Sequence, residues 1–212
     1  MISSLSIYKD RLINAVFTHL YYVAVSVTIA FVIALLLGIL FSRAPKWANI
    51  ILPILSIFHT IPGIVFIGVL FIYLGMAPRT VLIALTVYAI FPMLKNTYVG
   101  IVEVSEQYRE VARGCGMSGF QMLCRVELPL ALPAIITGLR MAAVYTVSWA
   151  VLSAMIGLGG LGEFIYAGVT SNNNFLIIIG AIPAAVIAVV LSQLINALYK
   201  KLIPKPLRRD LK

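Results

Sequence analysis

Charged residues with helical spacing are concentrated in one segment, residues 103–129, which lies between two long apolar stretches. Glu106 and Arg109, and likewise Glu110 and Arg113, are three positions apart, so each pair would share one surface of a helix. An amphipathic helix of this kind offers charged and hydrogen-bonding groups to a partner protein. The simpler alternative is an ordinary loop whose charges are solvated.

The same segment carries signals for two helices separated by a glycine turn. Ser105 is a suitable N-cap for the first helix. Gly114 and Gly116 would end it, because glycine readily adopts the left-handed conformation of a helix stop. Ser118 followed by Gln121 forms a capping-box pattern that begins the second helix.

A second group of residues could form a path for an organic cation. Positions three, four and eight apart along one apolar stretch form an aromatic and partly polar stripe: Tyr145, Ser148, Trp149 and Ser153. Aromatic faces attract quaternary ammonium groups by about 0.5–2 kcal/mol each. Such stripes also serve simply to pack helices, and both interpretations remain open.

Two ionisable residues, His59 and Arg140, lie within apolar stretches. Such groups usually face protein or a water-filled cavity, because an unpaired one in lipid is costly. Both could therefore line a path or fix neighbouring helices. The alternatives are a packed histidine at His59 and snorkelling of Arg140 toward the cytoplasm.

A glycine-rich run, residues 157–162, includes Gly159 and Gly160 and precedes Glu163. The structural interpretation is a tight turn that returns the chain toward the membrane. The functional interpretation is an external gate or a docking surface for a partner protein. The two interpretations are compatible.

The elements that must position these residues are apolar helices. Of the 212 residues, 62% are hydrophobic and 11% are charged, whereas a soluble domain carries roughly a quarter charged residues. The sequence thus predicts an all-α membrane protein.

The net charge of +9 does not indicate nucleic-acid binding, because the basic residues lie mainly between or after the apolar stretches. Cys115 and Cys124 match no metal or redox pattern and predict reduced cytoplasmic thiols.

A membrane span needs about twenty mostly apolar residues. Five candidates form a single transmembrane domain: residues 18–41, 50–74, 80–98, 132–156 and 175–199. A kink around Ile61, Pro62 and Gly63 leaves six spans as an alternative. Residues 1–16 predict a short interfacial helix, and residues 200–212 form a basic tail.

The distribution of lysine and arginine predicts the orientation. One face receives twelve basic residues: Arg43, Lys46, Lys95, Arg109, Arg113, Arg125, Lys200, Lys201, Lys205, Arg208, Arg209 and Lys212. The other face receives Lys9, Arg11 and Arg79. The positive-inside rule places the first face in the cytoplasm, so the N-terminus is predicted outside and the C-terminus in the cytoplasm.

The polar segment resembles the EAA loop of bacterial ABC importer permeases, with the pattern Glu-Ala-Ala, three residues, Gly, nine residues, Ile-x-Leu-Pro. In that family the loop forms coupling helices that insert into a groove on the ATP-hydrolysing subunit. The resemblance implies a type I (MetI-like) permease with cytoplasmic coupling helices between spans three and four. It assigns ATPase coupling to Glu110, Val111, Ala112, Arg113, Gly116, Leu128 and Pro129, where Val111 and Val126 are conservative departures from the pattern.

Residues 91–100, Trp149 and residues 156–165 look similar to the permeases of osmoprotectant importers, which carry glycine betaine, carnitine, choline or proline betaine. The resemblance implies a bacterial cell-membrane subunit, an ABC ATPase dimer that holds ATP and Mg, a second permease subunit and an extracellular substrate-binding protein. The sequence contains no Gly-x-x-x-x-Gly-Lys-Ser/Thr loop, so no enzyme activity, cofactor or metal is expected in this chain. Alternatives are a permease for methionine or another amino acid, and an ATP-independent secondary transporter or channel.

Overall fold

A computed structural model describes residues 2–202, with the side chains of residues 2–6, 155 and 202 excepted. Within that range there is no β-strand. The helices are α1 (Ile2–Arg43), α2 (Pro45–His59), α3 (Gly63–Leu74), α4 (Pro78–Val102), α5 (Glu106–Gly114), α6 (Gly119–Met122), α7 (Leu128–Ala150), α8 (Gly162–Thr170) and α9 (Asn174–Leu202). A π-helical turn (Leu123–Glu127) precedes α7, and a 3-10 segment (Val151–Ile156) follows it.

The N-terminal region differs from its prediction. No separate interfacial helix covers residues 1–16, because α1 is continuous from Ile2 to Arg43. Its 42 residues extend over about 63 Å, roughly twice the apolar thickness of a bilayer. The first turns pack on the C-terminal part of the chain, since Tyr8 contacts the rings of Phe164 and Phe175. No glycine or proline interrupts the chain before Gly38, so the helix has no local reason to break.

The predicted kink in the second apolar segment is a sharp bend of 94° between α2 and α3. Pro62 occupies the N-cap position of α3, and proline disfavours helical geometry in the residue before it. With 15 and 12 residues, neither half is long enough to cross a bilayer alone. The bent pair has the length and composition of one broken span or of a re-entrant loop, so the described residues offer at most five spans and not six.

The remaining candidate spans are α1, α4, the continuous helix through α7, and α9, which gives four unbroken spans and five with the bent pair. The largest buried share belongs to α4, with α1 and α7 packed along it. Small side chains at Ala30, Ala34 and Gly38 form one stripe on α1, four positions apart. Both alanines are fully buried, and a Cβ at position 38 would meet Thr97 of α4 at 2.5 Å.

The bundle has two ends, which are named here after the residues they carry. The coupling end comprises α5, α6, the C-terminal ends of α1 and α4, and the start of α7. The glycine end comprises the first turns of α1, residues 157–162 and α8. Residues 203–212, which carry most of the predicted basic tail, lie outside the described residues.

Candidate functional site

At the coupling end, the chain forms the predicted helix, turn and helix. Gly116 has a φ of +73°, its N–H donates to the carbonyl of Arg113, and Met117 N–H donates to the carbonyl of Ala112. These two hydrogen bonds define a Schellman motif, which ends α5 and explains the glycine. The capping box of Ser118 and Gln121 is present at the start of α6.

Ser105 is the N-cap residue of α5, as predicted, but two side-chain contacts of this helix could not be read from the spacing. Ser105 occupies the N-cap position, but its side chain makes no capping hydrogen bond within residues 2–202. Arg113 pairs with Glu106 at 2.8 Å rather than with Glu110, which forms no ion pair among the described residues. Arg109 also contacts Glu106, at 3.3 Å, and the two guanidinium groups lower the pKa of this exposed carboxyl, Arg113 contributing most. Glu110 is therefore left available to a partner.

The outer surface of α5 and α6 carries exposed apolar side chains beside the charged ones. Tyr108, Val111 and Phe120 are 56%, 67% and 76% exposed. Glu110, Arg113 and Gly116 are exposed as well, so these sequence-predicted coupling residues lie on an accessible surface. A mixed apolar and charged surface of this kind is typical of a protein-binding site.

Three other predicted coupling residues are partly or fully buried. Ala112 is only 2% exposed and packs beneath α5. Leu128 packs against buried Ile101 and Ala131, which places it in the core between α4 and α7. Pro129 is half-buried and directly follows the π-helical turn inside the continuous helix, where it cannot donate a hydrogen bond to the preceding turn. These residues fix the loop on the bundle.

Sequence reasoning missed Glu127, which is fully buried at the coupling end. One carboxylate oxygen accepts hydrogen bonds from Arg43 Nη1 at 3.1 Å and Arg109 Nε at 2.9 Å, and Arg43 Nη2 contacts the other oxygen. The only signal was a carboxylate at the unspecified position of Val126-Glu-Leu-Pro129. A buried carboxylate requires such partners, because its desolvation is costly.

Aromatic rings cluster where α2, α4 and α7 meet. The rings of Tyr88 and Trp149 stack at 4.3 Å with an interplanar angle of 20°, and the Tyr88 hydroxyl donates to the carbonyl of Ile61 at 2.6 Å. The His59 ring lies 5.6 Å from that of Tyr88 and 5.1 Å from that of Phe91. The bend between α2 and α3 is thus held against the aromatic cluster.

Two cavities adjoin this cluster. The larger, of about 460 Å³, is lined by aromatic and polar side chains that include His59, Phe91, Lys95, Asn96, Met141 and Tyr145. The smaller, of about 380 Å³, is lined by Gly63, Ser148 and Trp149 among others. Tyr145 is 44% exposed, and Ser148 is exposed as well. The structure therefore brings His59 and Tyr145 together, and places Ser148 and Trp149 beside the neighbouring cavity.

Ser153 does not share the stripe predicted for it. The α-helix ends at Ala150, and the 3-10 segment that follows rotates Ser153 into the interior, where it is fully buried. Its hydroxyl donates to the carbonyl of Ala150 or Gly159, at 2.7 and 2.9 Å. Ser153 thus holds the glycine turn and does not line either cavity.

At the glycine end, residues 157, 159 and 160 have φ values of +72°, +75° and +86°. Such left-handed geometry is strained for side chains other than glycine, so the run forms the predicted turn. Glu163 lies in the first turn of α8 and pairs with Arg11 at 2.8 Å. His19, a residue that sequence reasoning did not select, is fully buried against Gly160.

Arg140 bridges two helices. Its Nη1 lies 3.3 Å from Oδ1 of Asn196, so the guanidinium of α7 meets an amide of α9. The side chain is half-buried, in keeping with a group that faces protein.

The fold is that of an ABC importer permease. An inward-facing structure of the MetNI methionine ABC transporter superposes with a TM-score of 0.75 over 89% of this chain and 96% of that one, at 21% identity. An amino acid ABC transporter solved with histidines superposes with a TM-score of 0.74 over 95% of this chain and 99% of that one, at 19% identity. At these identities the likeness shows the fold alone.

Residues 11–208 match the family described as "Binding-protein-dependent transport system inner membrane component", and the chain belongs to this family. Its members are transport components rather than enzymes, and the chain is a multi-pass protein of a bacterial cell membrane. The carnitine transport permease protein OpuCB of Listeria monocytogenes is 36% identical over 90% of this chain and 87% of its own length. The osmoprotectant import permease protein OsmW of Salmonella typhimurium is 33% identical over 93% of this chain and 94% of its own length.

Proposed function

We propose that this chain is the transmembrane subunit of an ATP-driven importer that moves quaternary-ammonium compatible solutes into the cell. The observation that carries the proposal is the aromatic cluster of Tyr88, Trp149, His59 and Phe91 beside a cavity of about 460 Å³. Aromatic faces attract quaternary ammonium groups without requiring a counter-charge. The OpuCB relative in Bacillus subtilis, 33% identical, is a glycine betaine/carnitine/choline permease, which supports this substrate class.

The substrate path runs along the two cavities. His59 and Tyr145 line the larger cavity, and Ser148 and Trp149 line the smaller one. Tyr145 and Ser148 are exposed in the single chain, so a second permease subunit, identical or homologous, is needed to enclose the path. Gly159, Gly160 and Glu163 form the external gate, which the binding protein contacts when it delivers substrate.

ATP and Mg are held by a partner ATPase dimer that docks on α5 and α6. The exposed surface of Glu110, Val111, Arg113, Gly116 and Phe120 supplies the contact. Binding of ATP by the partner can drive alternation of the path only through different affinities for its two states. The basic residues at this end support its cytoplasmic placement.

The test is uptake by proteoliposomes that contain the chain, its ATPase and its binding protein. We expect labelled glycine betaine, carnitine or choline to accumulate only with hydrolysable ATP on the ATPase side. A non-hydrolysable ATP analogue is the matched control.

The same preparation separates the competing functions. Methionine that is taken up as well as the quaternary solutes would support the amino-acid alternative, which here has only the fold of the MetNI transporter in its favour. Uptake without ATP would contradict the importer and indicate a secondary transporter or channel.

A further inference from the structure

Glu127 is the most deeply buried charge at the coupling end, and its two arginine partners come from different elements. Arg43 is the last residue of α1, and Arg109 belongs to α5, so one carboxylate joins two elements that lie far apart in sequence. Arg109 Nη2 also donates to the carbonyl of Ile101, near the end of α4, at 2.8 Å. Glu127 itself directly precedes α7. Four elements therefore converge on one ion-paired group.

We propose that Glu127 is a positioning residue that transmits motion of the partner-bound α5 to the membrane spans. The proposal rests on the function proposed above. Among residues 2–202, the ion pairs of α5 with the rest of the bundle all pass through Arg109 and Glu127, since Arg113 pairs only within α5. A displacement of α5 therefore acts on the ion pair that joins it to Glu127, and through that carboxylate on Arg43 of α1, in addition to the apolar contacts of buried Ala112.

Stability alone does not explain a charge at this position. Replacing a buried ion-paired group with apolar side chains of similar volume is often neutral or stabilising, because no charge then has to be desolvated. Arg43 contacts both carboxylate oxygens, however, and such two-point pairs add geometric specificity as well as energy. The arrangement is thus better suited to transmitting position than to adding stability.

The backbone geometry just before Glu127 helps to direct its side chain inward. The π-helical turn from Leu123 to Glu127 places one more residue in each hydrogen-bonded ring than an α-helix does. One additional residue rotates the following register by about 100°. Glu127 points inward at the end of this turn, and such turns are frequent at functional positions.

The test compares Glu127→Gln with wild type in the assembled complex in proteoliposomes, and measures ATP hydrolysis and solute uptake in the same vesicles. Glutamine keeps the shape but removes the charge. We expect assembly and ATP hydrolysis to persist while solute moved per ATP falls by about two- to thirtyfold, the range for residues within coupling networks. Glu127→Asp, which keeps the charge, should recover part of the ratio. Glu103→Gln removes an exposed carboxylate at the same end and should leave the ratio unchanged.

A second variant keeps the proposal testable if Glu127→Gln misfolds. Replacing Arg43, Arg109 and Glu127 together with methionine removes every charge of the cluster, and should assemble and hydrolyse ATP with a lowered ratio. An unchanged ratio in either assembled variant overturns the proposal, as does a proportional loss of hydrolysis and uptake. Failure of both variants to assemble assigns Glu127 a purely structural role and also overturns it. Absence of ATP-driven uptake in wild type would instead contradict the proposed function itself.

Discussion

At the scale of single residues, Gly116 has a conformational requirement that can be separated from a steric one. Its φ of +73° is strained for other residues, yet among residues 2–202 a Cβ built there meets no packing neighbour within 4 Å. Gly116→Val should weaken binding of the ATPase by about 5- to 30-fold, because left-handed geometry costs roughly 1–2 kcal/mol. Affinity of the detergent-solubilised chain for the purified ATPase measures this.

Gly116→Asn is the matched variant, because asparagine tolerates the left-handed region. We expect it to bind the ATPase nearly as well as wild type. Equal loss in both variants would contradict the conformational explanation and indicate that the partner approaches the glycine too closely for any side chain.

Tyr145 provides a residue-scale test of the substrate path. It is 44% exposed in the larger cavity, so its replacement should disturb packing little. Tyr145→Ala should raise the apparent KM for glycine betaine by about 2- to 30-fold, since a cation–π contact is worth about 0.5–2 kcal/mol. Tyr145→Phe keeps the ring face and should stay near wild type. A KM that is unchanged in the alanine variant would remove Tyr145 from the path.

The residues that sequence reasoning identified interact with near neighbours in the sequence, whereas those that it missed interact with distant ones. The capping box of Ser118 and Gln121 could be predicted because both partners lie within one turn. Glu127 could not be recognised as an ion-pair centre, because Arg43 lies 84 positions away in sequence. Ser153 was misplaced because the change from α-helix to 3-10 geometry after Ala150 depends on tertiary contacts.

At the scale of elements, the bend between α2 and α3 brings Gly63 against the Trp149 ring. A Cβ at position 63 would lie 1.4 Å from that ring, so Gly63→Ala must displace α3 or Trp149. We expect a cost of about 1–3 kcal/mol, as for other overpacked sites. The apparent Tm in detergent should fall accordingly.

Gly68 lies on the same helix and offers the control, because a Cβ built there meets no packing neighbour within 4 Å in the described part of the chain. Gly68→Ala should be neutral or slightly stabilising, since alanine is favoured over glycine within helices by up to about 1 kcal/mol. An unchanged Tm for Gly63→Ala would show that α3 does not press on Trp149 in solution.

The sequence predicted where α2 and α3 separate but not how α1 begins. Pro62 is a local signal in the sequence, and it was sufficient to predict the bend between α2 and α3. An interfacial helix and the extension of a long one have the same local pattern of apolar and charged residues. What distinguishes them here is the contact of Tyr8 with Phe164 and Phe175, and that contact depends on the fold of the C-terminal region.

At the scale of the whole molecule, the orientation in the membrane can be read from the exposed thiols. Cys115 and Cys124 lie at the coupling end and are both exposed. A membrane-impermeant maleimide should leave them unlabelled in intact cells and label them in inverted vesicles, because the distribution of basic residues places this end in the cytoplasm.

The matched variant carries a thiol at the opposite end. Ser171→Cys, in a chain with both native cysteines changed to serine, places an exposed thiol just after α8. It should be labelled in intact cells. Labelling of Cys115 or Cys124 from outside would reverse the orientation and contradict docking of a cytoplasmic ATPase.

The unbroken length of α1 has a consequence for the molecule as a whole. One proline-free helix carries Arg11, which pairs with Glu163 at the glycine end, and Arg43, which pairs with Glu127 at the coupling end. Because sharp kinks in helices arise mostly at proline and similar local breaks, a tilt of α1 as one unit would displace both arginines and strain both ion pairs at once.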